Sequence, residues 1–186
     1  NAGTLLANRV YAGSTGTPSY FNFGGGRLLA NGGTGYASTF LQGLTAATVY
    51  PGGAVIDVSN VTVTVNQPLL APTGWGVASI PISHPGAGYI GAPVVMISGG
   101  SGTGATAIAQ VDMDEGSATF GQLTGVIVTS PGSGYQPGDA LTVSLIRGGY
   151  TTLARVGAPA LAPNVSGGLT KLGSGTLTLG GASTYG

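Results

Sequence analysis

The fold of this chain is decided by the segment Gly167–Gly186, which reads G-G-L-T-K-L-G-S-G-T-L-T-L-G-G-A-S-T-Y-G. Polar and apolar residues alternate in the stretch 176–179 (T-L-T-L), and glycines stand on both sides of it. A period of two places successive side chains on opposite faces of an extended chain, and glycine permits the tight turns between strands. The segment therefore predicts short β-strands joined by glycine turns.

The same pattern extends over the rest of the chain. Alternating stretches recur at 55–58 (V-I-D-V) and 61–65 (V-T-V-T-V), and 37 glycines and 11 prolines punctuate the 186 residues. Helical spacing is nearly absent: only residues 37–44 could form a helical turn, which Gly43 and Thr39 weaken. We therefore expect an all-β fold.

The segment 167–186 resembles the autotransporter-associated β-strand repeat, whose usual wording is close to G-G-L-T-K-x-G-x-G-T-L-T-L-x-G-x-N-T-Y-x-G. Ser183 stands where that repeat usually has Asn. The resemblance implies an elongated parallel β-solenoid, outside or on the surface of a bacterial cell. It also shifts the expected function from catalysis to the building of a structure.

Charge and cysteine content narrow the function classes. Only ten residues are charged, five of each sign, so the basic clusters that nucleic acid or an anionic membrane surface would need are missing. There is no cysteine, which excludes disulfides and thiolate metal sites. The chain begins at Asn1 and has no apolar run long enough for a membrane helix, so we expect a secreted, processed piece without membrane insertion.

An internal duplication lies within the chain. Residues 80–89 (I-P-I-S-H-P-G-A-G-Y) align without a gap with residues 126–135 (V-I-V-T-S-P-G-S-G-Y). The duplicated block, 75–158 with halves at about 77–116 and 122–157, resembles the tandem G-S-G-Y modules that accompany the autotransporter-type repeats. We expect it to be inserted into one solenoid that comprises residues 1–74 and 159–186.

The two ends of the chain predict self-assembly. In the resembled repeat the T-Y-x-G phrase is followed by an A-G-T-L strand, and this chain begins N-A-G-T-L. Uncapped end coils of a solenoid expose unpaired backbone groups that a further strand can join. The partner would be another copy, as separate subunits or as repeats of one chain. The predicted assembly residues are Asn1, Ala2, Gly3, Thr4, Leu5, Leu177, Leu179, Thr184, Tyr185 and Gly186.

Catalytic chemistry has little support. The lone histidine, His84, is replaced by Ser130 in the second half of the duplication, and Asp57 and Asp139 fall in unrelated contexts. The cluster Asp112, Asp114 and Glu115 could hold Ca²⁺, but a plain turn is the preferred interpretation because no calcium-loop spacing is present. We expect no enzyme and no cofactor.

The corner aromatics leave a second function open. Tyr89 and Tyr135 occupy equivalent corners, where a structural role is preferred to a sugar-binding platform. Trp75, at the start of the inserted block, could be a hinge plug or an exposed contact. The leading hypothesis is a structural unit of an extracellular filament or surface fibre. The alternative is an adhesin whose inserted module binds glycan or another cell.

Overall fold

The structure, a computed structural model, describes residues 3–13, 16–33 and 37–186. Throughout these ranges the chain is all-β and forms no helix, as the alternation predicts. The predicted assembly residues Asn1 and Ala2 lie outside the described residues. The nineteen strands are β1 (Thr4–Ala7), β2 (Val10–Tyr11), β3 (Tyr20–Phe23), β4 (Arg27–Ala30), β5 (Thr39–Gln42), β6 (Ala46–Val49), β7 (Ala54–Asp57), β8 (Val63–Val65), β9 (Leu69–Leu70), β10 (Trp75–Ser79), β11 (Ile82–His84), β12 (Val94–Gly99), β13 (Thr103–Val111), β14 (Leu123–Ser133), β15 (Leu141–Ile146), β16 (Arg155–Val156), β17 (Ala160–Pro163), β18 (Leu169–Leu172) and β19 (Leu177–Leu179).

The chain divides into two compact units. The first comprises Asn1–Pro72 and Val165–Gly186, and the second comprises Thr73–Asn164. The sequence predicts these boundaries at 74/75 and 158/159, which are two and six residues from the divisions. We call the first the parallel unit and the second the module.

The parallel unit consists of three parallel sheets whose strands follow a simple rule. The sheet orders are β1-β4-β7-β18, β2-β5-β8-β19 and β3-β6-β9, so each strand from β1 to β6 pairs with the strand three places later. Three consecutive strands, one from each sheet, form what we call a triplet. The triplets are β1–β3, β4–β6, β7–β9 and, after the module, β18 and β19 followed by residues 183–185.

The last triplet completes the third sheet through single hydrogen bonds. The Thr184 amide donates to the Leu69 carbonyl at 2.9 Å, and the Ser183 hydroxyl accepts from the Leu69 amide at 3.1 Å. Residues 183–184 therefore lie beside β9, as β6 does on its other side.

The core of the parallel unit follows from the period of two. Leu28 and Ala30 in β4, and Ala54 and Ile56 in β7, are buried, while Arg27 remains exposed. Alternate side chains of each sheet meet the inward side chains of the other two, which removes their apolar surface from water. The resulting cluster also contains Phe23, Phe40, Leu41, Ala47, Val49, Val58, Val63, Val65 and Leu69.

The one place where a helical turn could form is a strand instead. Residues Thr39–Gln42 form β5, with both Phe40 and Leu41 fully buried. β5 pairs with β2 on one side and β8 on the other, and these non-local bonds override a weak local preference. The polar side chains in this unit are satisfied as well: the Gln67 side chain accepts from the Leu44 amide at 2.8 Å.

The module is antiparallel, and its two halves exchange strands. β11 of the first half pairs with β16 of the second, and β14 of the second half pairs with β13 of the first. β12 and β15, the middle strands of the halves, pair with each other. Within that pair Ile97 lies opposite Val143, which is its own counterpart 46 positions later. The pairing thus has a two-fold pattern that the duplication alone did not reveal.

The two corners repeat the same close contacts. A Cβ on Gly86 would lie 2.6 Å from the Ala154 nitrogen and the Thr152 oxygen, and one on Gly132 would lie 2.6 Å from the Ala105 nitrogen and the Thr103 oxygen. Both glycines have positive φ, 68° and 75°. Each corner of one half is therefore seated against the final strand region of the other.

The last strand of the second half is short and comprises only Arg155–Val156. The amides of Thr151 and Thr152 both donate to the Ala87 carbonyl, at 3.0 Å. The Ala154 amide donates to the Tyr89 hydroxyl at 2.9 Å. The amides of residues 151, 152 and 154 therefore bond to the corner of the first half and not to a neighbouring strand.

The first and last strands of the module close it. β10 pairs antiparallel with β17, from Trp75 opposite Pro163 to Ser79 opposite Ala160. Beyond this pair the Asn164 side-chain amide donates to the Thr73 carbonyl at 3.0 Å, and the Asn164 backbone amide donates to the Gly74 carbonyl at 2.9 Å. The two ends of the inserted segment are therefore tied together.

Candidate functional site

The first triplet forms one edge of the parallel unit. β1, β2 and β3 each stand at the outer end of their sheet. Leu5 and Leu6 in β1 are 50% and 57% exposed, although Leu28, the register partner of Leu5, is only 2% exposed. A recess opens at this edge, and its lining includes Leu5, Phe21, Phe23 and Leu28. The edge therefore carries core-type side chains without a layer to cover them.

The last triplet forms the opposite edge. β18 and β19 stand at the other ends of the first two sheets, and Leu172 and Leu179 are each 39% exposed. Leu177 and Tyr185 are partly buried against the core cluster from this side. Neither edge is covered by a helix or a further strand anywhere in the described ranges.

Exposed apolar side chains in the parallel unit are confined to these two edges. Among its described residues, the large hydrophobic side chains that remain exposed all precede β4 or follow the module. None lies in the triplets β4–β6 or β7–β9. The exposed set is Leu5, Leu6, Tyr11, Tyr20, Val165, Leu172 and Leu179.

The charged side chains near the edges are engaged locally. The Arg9 guanidinium lies 4.0 Å from the centroid of the Tyr11 ring, and the Lys171 ammonium donates to the Gly173 carbonyl at 2.7 Å. Arg27 is paired with Asp57 of the neighbouring strand β7. These charges do not place a repulsive row along either edge.

The predicted assembly residues fall on these edges where the structure describes them. Gly3, Thr4 and Leu5 lie on the first edge, and Leu177 and Leu179 lie on the last. Thr184 and Tyr185 continue the third sheet, and Gly186 follows them. The prediction omitted Leu6 and Leu172. The sequence spacing indicates the exposure of both. Leu6 is one residue from Leu5 and Leu172 is three residues from Leu169, and an odd spacing in a strand places two side chains on opposite faces.

The corner tyrosines of the module are buried, with Tyr89 2% and Tyr135 4% exposed. The Tyr89 hydroxyl accepts from the Ala154 amide, and the Tyr135 hydroxyl is bonded to the backbone of Ala105. Burial raises the pKa of Tyr135, with a smaller contribution from Asp139. Trp75 is half-buried against Tyr135 and its neighbours. Neither tyrosine ring offers a stacking face to a sugar.

The carboxylates of the acidic loop accept hydrogen bonds from other residues of the same loop. The Asp112 carboxylate accepts from the Thr119 hydroxyl at 2.6 Å and the Asp114 amide at 3.0 Å, and the Asp114 carboxylate accepts from the Gly116 amide at 3.0 Å. Hydrogen bonds from Ser117 and Thr119 lower the pKa of Asp112. Among the described residues, no group of three or more His, Cys, Asp or Glu side chains is arranged to hold a metal ion.

The three remaining polar candidates have separate roles. The His84 Nδ1 accepts from the Gly86 amide at 3.1 Å, as the Ser130 hydroxyl does from the Gly132 amide at 3.4 Å. Hydrogen bonds from the Gln136 amide and from Ser101 lower the pKa of Asp139. Asp57 belongs to the other unit, where it pairs with Arg27. The structure does not assemble these side chains into one site.

The halves of the module differ in one exposed region. Ile90, Val94 and Met96 are exposed in the first half, with Tyr150 nearby beside Tyr89. The equivalent positions of the second half carry Gln136, Ala140 and Thr142. We call Ile90, Val94, Met96 and Tyr150 the apolar group.

Comparisons with models of known protein families, with curated proteins and with solved structures find no match to this chain. Within the described ranges, no helix has the length and apolar character needed to cross a membrane.

Proposed function

We propose that this chain is a structural subunit or repeat unit of a secreted bacterial filament or surface fibre. In this proposal the triplets are coils of a parallel β-solenoid of the autotransporter-repeat type, and copies assemble end to end by strand pairing. The partner is another copy, either a separate subunit or a repeat within one chain. No catalysis and no cofactor are involved.

The observation that carries the proposal is the confinement of exposed apolar side chains to the two edges. Among the described residues the middle triplets expose no large hydrophobic side chain, whereas Leu5, Leu6, Leu172 and Leu179 are exposed where a coil on each side would cover them. Edge strands with free backbone groups pair readily with further strands. The strands at these edges carry one charged side chain, Lys171 in β18. Covering leucines that are 39–57% exposed would recover about half of the roughly 1.5–3 kcal/mol that full burial of a leucine contributes.

Composition supports the same interpretation. The chain has a net charge of zero and only ten charged residues, so copies meet little electrostatic repulsion. Since it has no cysteine, its cohesion must come from backbone pairing and apolar burial. These properties suit a polymer in an oxidising extracellular space.

The test compares charged variants in the purified 186-residue chain. The wild type should form filaments visible by electron microscopy as its concentration rises. The double variant Leu6→Lys, Leu172→Lys should stay monodisperse, because it places an ammonium group on each edge. Met113→Lys is the matched control, since Met113 is 50% exposed in the acidic loop of the module. Dispersed wild-type particles at every concentration would contradict the proposal, as would filaments of the double variant.

A second candidate is an adhesin whose module binds glycan or another cell surface, and the apolar group favours it. Because the second half carries Gln136, Ala140 and Thr142 at equivalent positions, the fold does not require exposed apolar residues there. Exposed apolar patches commonly mark interaction sites. The variant Ile90→Gln, Val94→Ala, Met96→Thr copies the second half into the first and should abolish binding on a glycan array or to cells. Thr142→Met is the control, and unchanged binding by the triple variant would remove this candidate.

A further inference from the structure

We propose that copies join head to tail in one register, in which Thr4 of one copy pairs with Thr170 of the preceding copy and Leu6 pairs with Leu172. This inference rests on the proposed end-to-end assembly and specifies its polarity and contacts. The occupant of each edge is thus the opposite edge of a second copy.

The register follows from the rows of aligned residues in the first sheet. Thr4 pairs with Arg27, Arg27 with Val55, and Val55 with Thr170. The row beside it contains Leu6, Leu29, Asp57 and Leu172. A second copy that continued these rows would set its β1 against β18 of the first, with every side chain on its own face.

The hydrogen-bonding phase of the two edges agrees with this register. The carbonyls of Gly3 and Ala7 accept from β4 and the residue after it, so by alternation Thr4 and Leu6 direct their backbone groups to the free edge. At the opposite edge, the carbonyls of Gly168 and Leu172 accept from the amides of Ala54 and Val58. By alternation the backbone groups of Leu169 and Lys171 therefore point to the free side of β18.

In a parallel ladder, a residue whose backbone groups bond to the adjacent strand is aligned with a residue whose own backbone groups point away from that pair. Within the sheet this holds for Arg27, which donates to Gly3 and is aligned with Thr4. At the junction Thr4 faces the free edge and Thr170 faces away from it. The pairing of Thr4 with Thr170 therefore satisfies the ladder, whereas a shift by one residue would satisfy neither the bonds nor the side-chain faces.

The register also brings exposed side chains together. Leu6 and Leu172, both exposed on the outer face of their strands, become direct neighbours. In the second sheet Val10 is aligned with Leu41, Leu41 with Val65, and Val65 with Leu179, so Leu179 meets the next Val10. In the inward row Leu5, which lines the recess with Phe23, comes opposite Lys171 of the preceding copy, because Leu5, Leu28, Ile56 and Lys171 are aligned.

A junction of identical edges fits less well. A two-fold axis at the first edge would set β1 antiparallel to itself and would set the two-residue β2 against the four-residue β3. The head-to-tail junction sets β18 against β1 and β19 against β2, each within its own sheet. Strand directions then match in both sheets, with four residues against four in the first and three against two in the second.

Cysteine cross-linking tests the register, and the chain has no native cysteine to interfere. Thr4 and Thr170 are both exposed. In the proposed junction their Cα atoms would be about 4.8 Å apart, within the range of about 4.4–6.8 Å that a disulfide needs. After mild oxidation of the assembled Thr4→Cys, Thr170→Cys chain, a non-reducing gel should show a ladder of dimers, trimers and longer products.

The controls separate register from polarity. Leu5→Cys, Thr170→Cys places the thiols on opposite faces and should give about tenfold less covalent product. Dimers from Thr4→Cys alone or from Thr170→Cys alone would overturn the head-to-tail polarity. Equal ladders from both double variants would overturn the register. Filaments that give no ladder would overturn the register but leave the proposed function standing, whereas the absence of both filaments and ladder would remove both.

Discussion

The parallel unit and the module have similar compositions but pair their strands differently. Both are built from short strands, glycine turns and few charges, yet the first pairs each strand with the next triplet and the second pairs each half with the other. Among the described residues, the first arrangement leaves an unpaired strand at both ends of its first two sheets. The second is closed by its two-fold pattern and by the pairing of β10 with β17. Pairing order, rather than composition, separates the two units.

The difference also predicts how damage spreads. A triplet bonds only to its neighbours, so a fault at an edge should remain local. In the module every strand pair links both halves or both ends, so a fault at one corner should weaken the whole. Four measurements test this contrast.

The largest effect is expected at the two module corners. Gly86→Ala and Gly132→Ala each force a Cβ to within 2.6 Å of opposing backbone, at positive φ. Each should lower the free energy of unfolding by about 3 kcal/mol or more. Urea unfolding followed at Trp75, the only tryptophan, reports the module selectively. Gly91→Ala, where a Cβ meets open space, should be nearly neutral. Clearly unequal losses for the two corners would break the two-fold interpretation.

The next effect is expected at the last triplet. Gly167→Ala would bring a Cβ to 2.5 Å from the Tyr50 carbonyl, and should destabilise β18 by about 2 kcal/mol. Hydrogen exchange should accelerate in β18 and β19 but not in β4 and β5. Gly168→Ala is the matched neighbour, with no atom near its Cβ, and should leave exchange unchanged. Accelerated exchange throughout the parallel unit would refute the local behaviour.

A smaller effect is expected from Tyr89→Phe. It removes the hydroxyl that accepts from the Ala154 amide and leaves that amide buried without a partner, at a cost of about 1–2 kcal/mol. The loss should shift the Trp75 unfolding transition and leave exchange in β4 and β7 unaltered. Tyr150→Phe serves as the control, because Tyr150 is 44% exposed. An unshifted transition in Tyr89→Phe would mean that the ring, not the hydroxyl, holds the corner.

The smallest effect is a pH dependence of the module. The pKa of Asp139 is lowered by the Gln136 amide and by the amide and hydroxyl of Ser101. Its folded pKa lies below its unfolded value, so the contribution is present above about pH 4 and is lost as the pH falls through the folded pKa. Asp139→Asn should flatten the acid limb of the Trp75 transition. Ser101→Ala should raise the pKa of Asp139 in an NMR titration, and an unchanged titration would contradict this origin.

Much of the local structure could be predicted from alternation and glycine. The stretch 55–58 contains the fully buried Ile56 and Val58, the stretch 61–65 contains the fully buried Val63 and Val65, and the duplicated P-G-x-G-Y phrases mark two equivalent corners. Such patterns report which side of a strand meets a core. They cannot report which strand lies beside it.

The pairings therefore escaped prediction. The exchange of strands between the module halves depends on contacts that the duplication leaves ambiguous, since a strand could pair within its own half or across. The bond from Asp57 to Arg27 joins residues 30 positions apart. At the edges, the exposure of Leu6 and Leu172 follows from their phase within a strand, which the end phrases alone do not indicate.

The clamp between the first and last strands of the module has a mechanical consequence. Tension along the chain would enter through Thr73 and Asn164, at the same end of the antiparallel pair, so β10 and β17 would unzip bond by bond instead of shearing together. Pulling the chain from residues 72 and 165 in an optical trap should release the module at lower force than the parallel unit. When fully extended, its roughly 90 residues, at about 3.3–3.6 Å each, would span about 300 Å. Under load the module would therefore extend before the strands of the parallel unit separate.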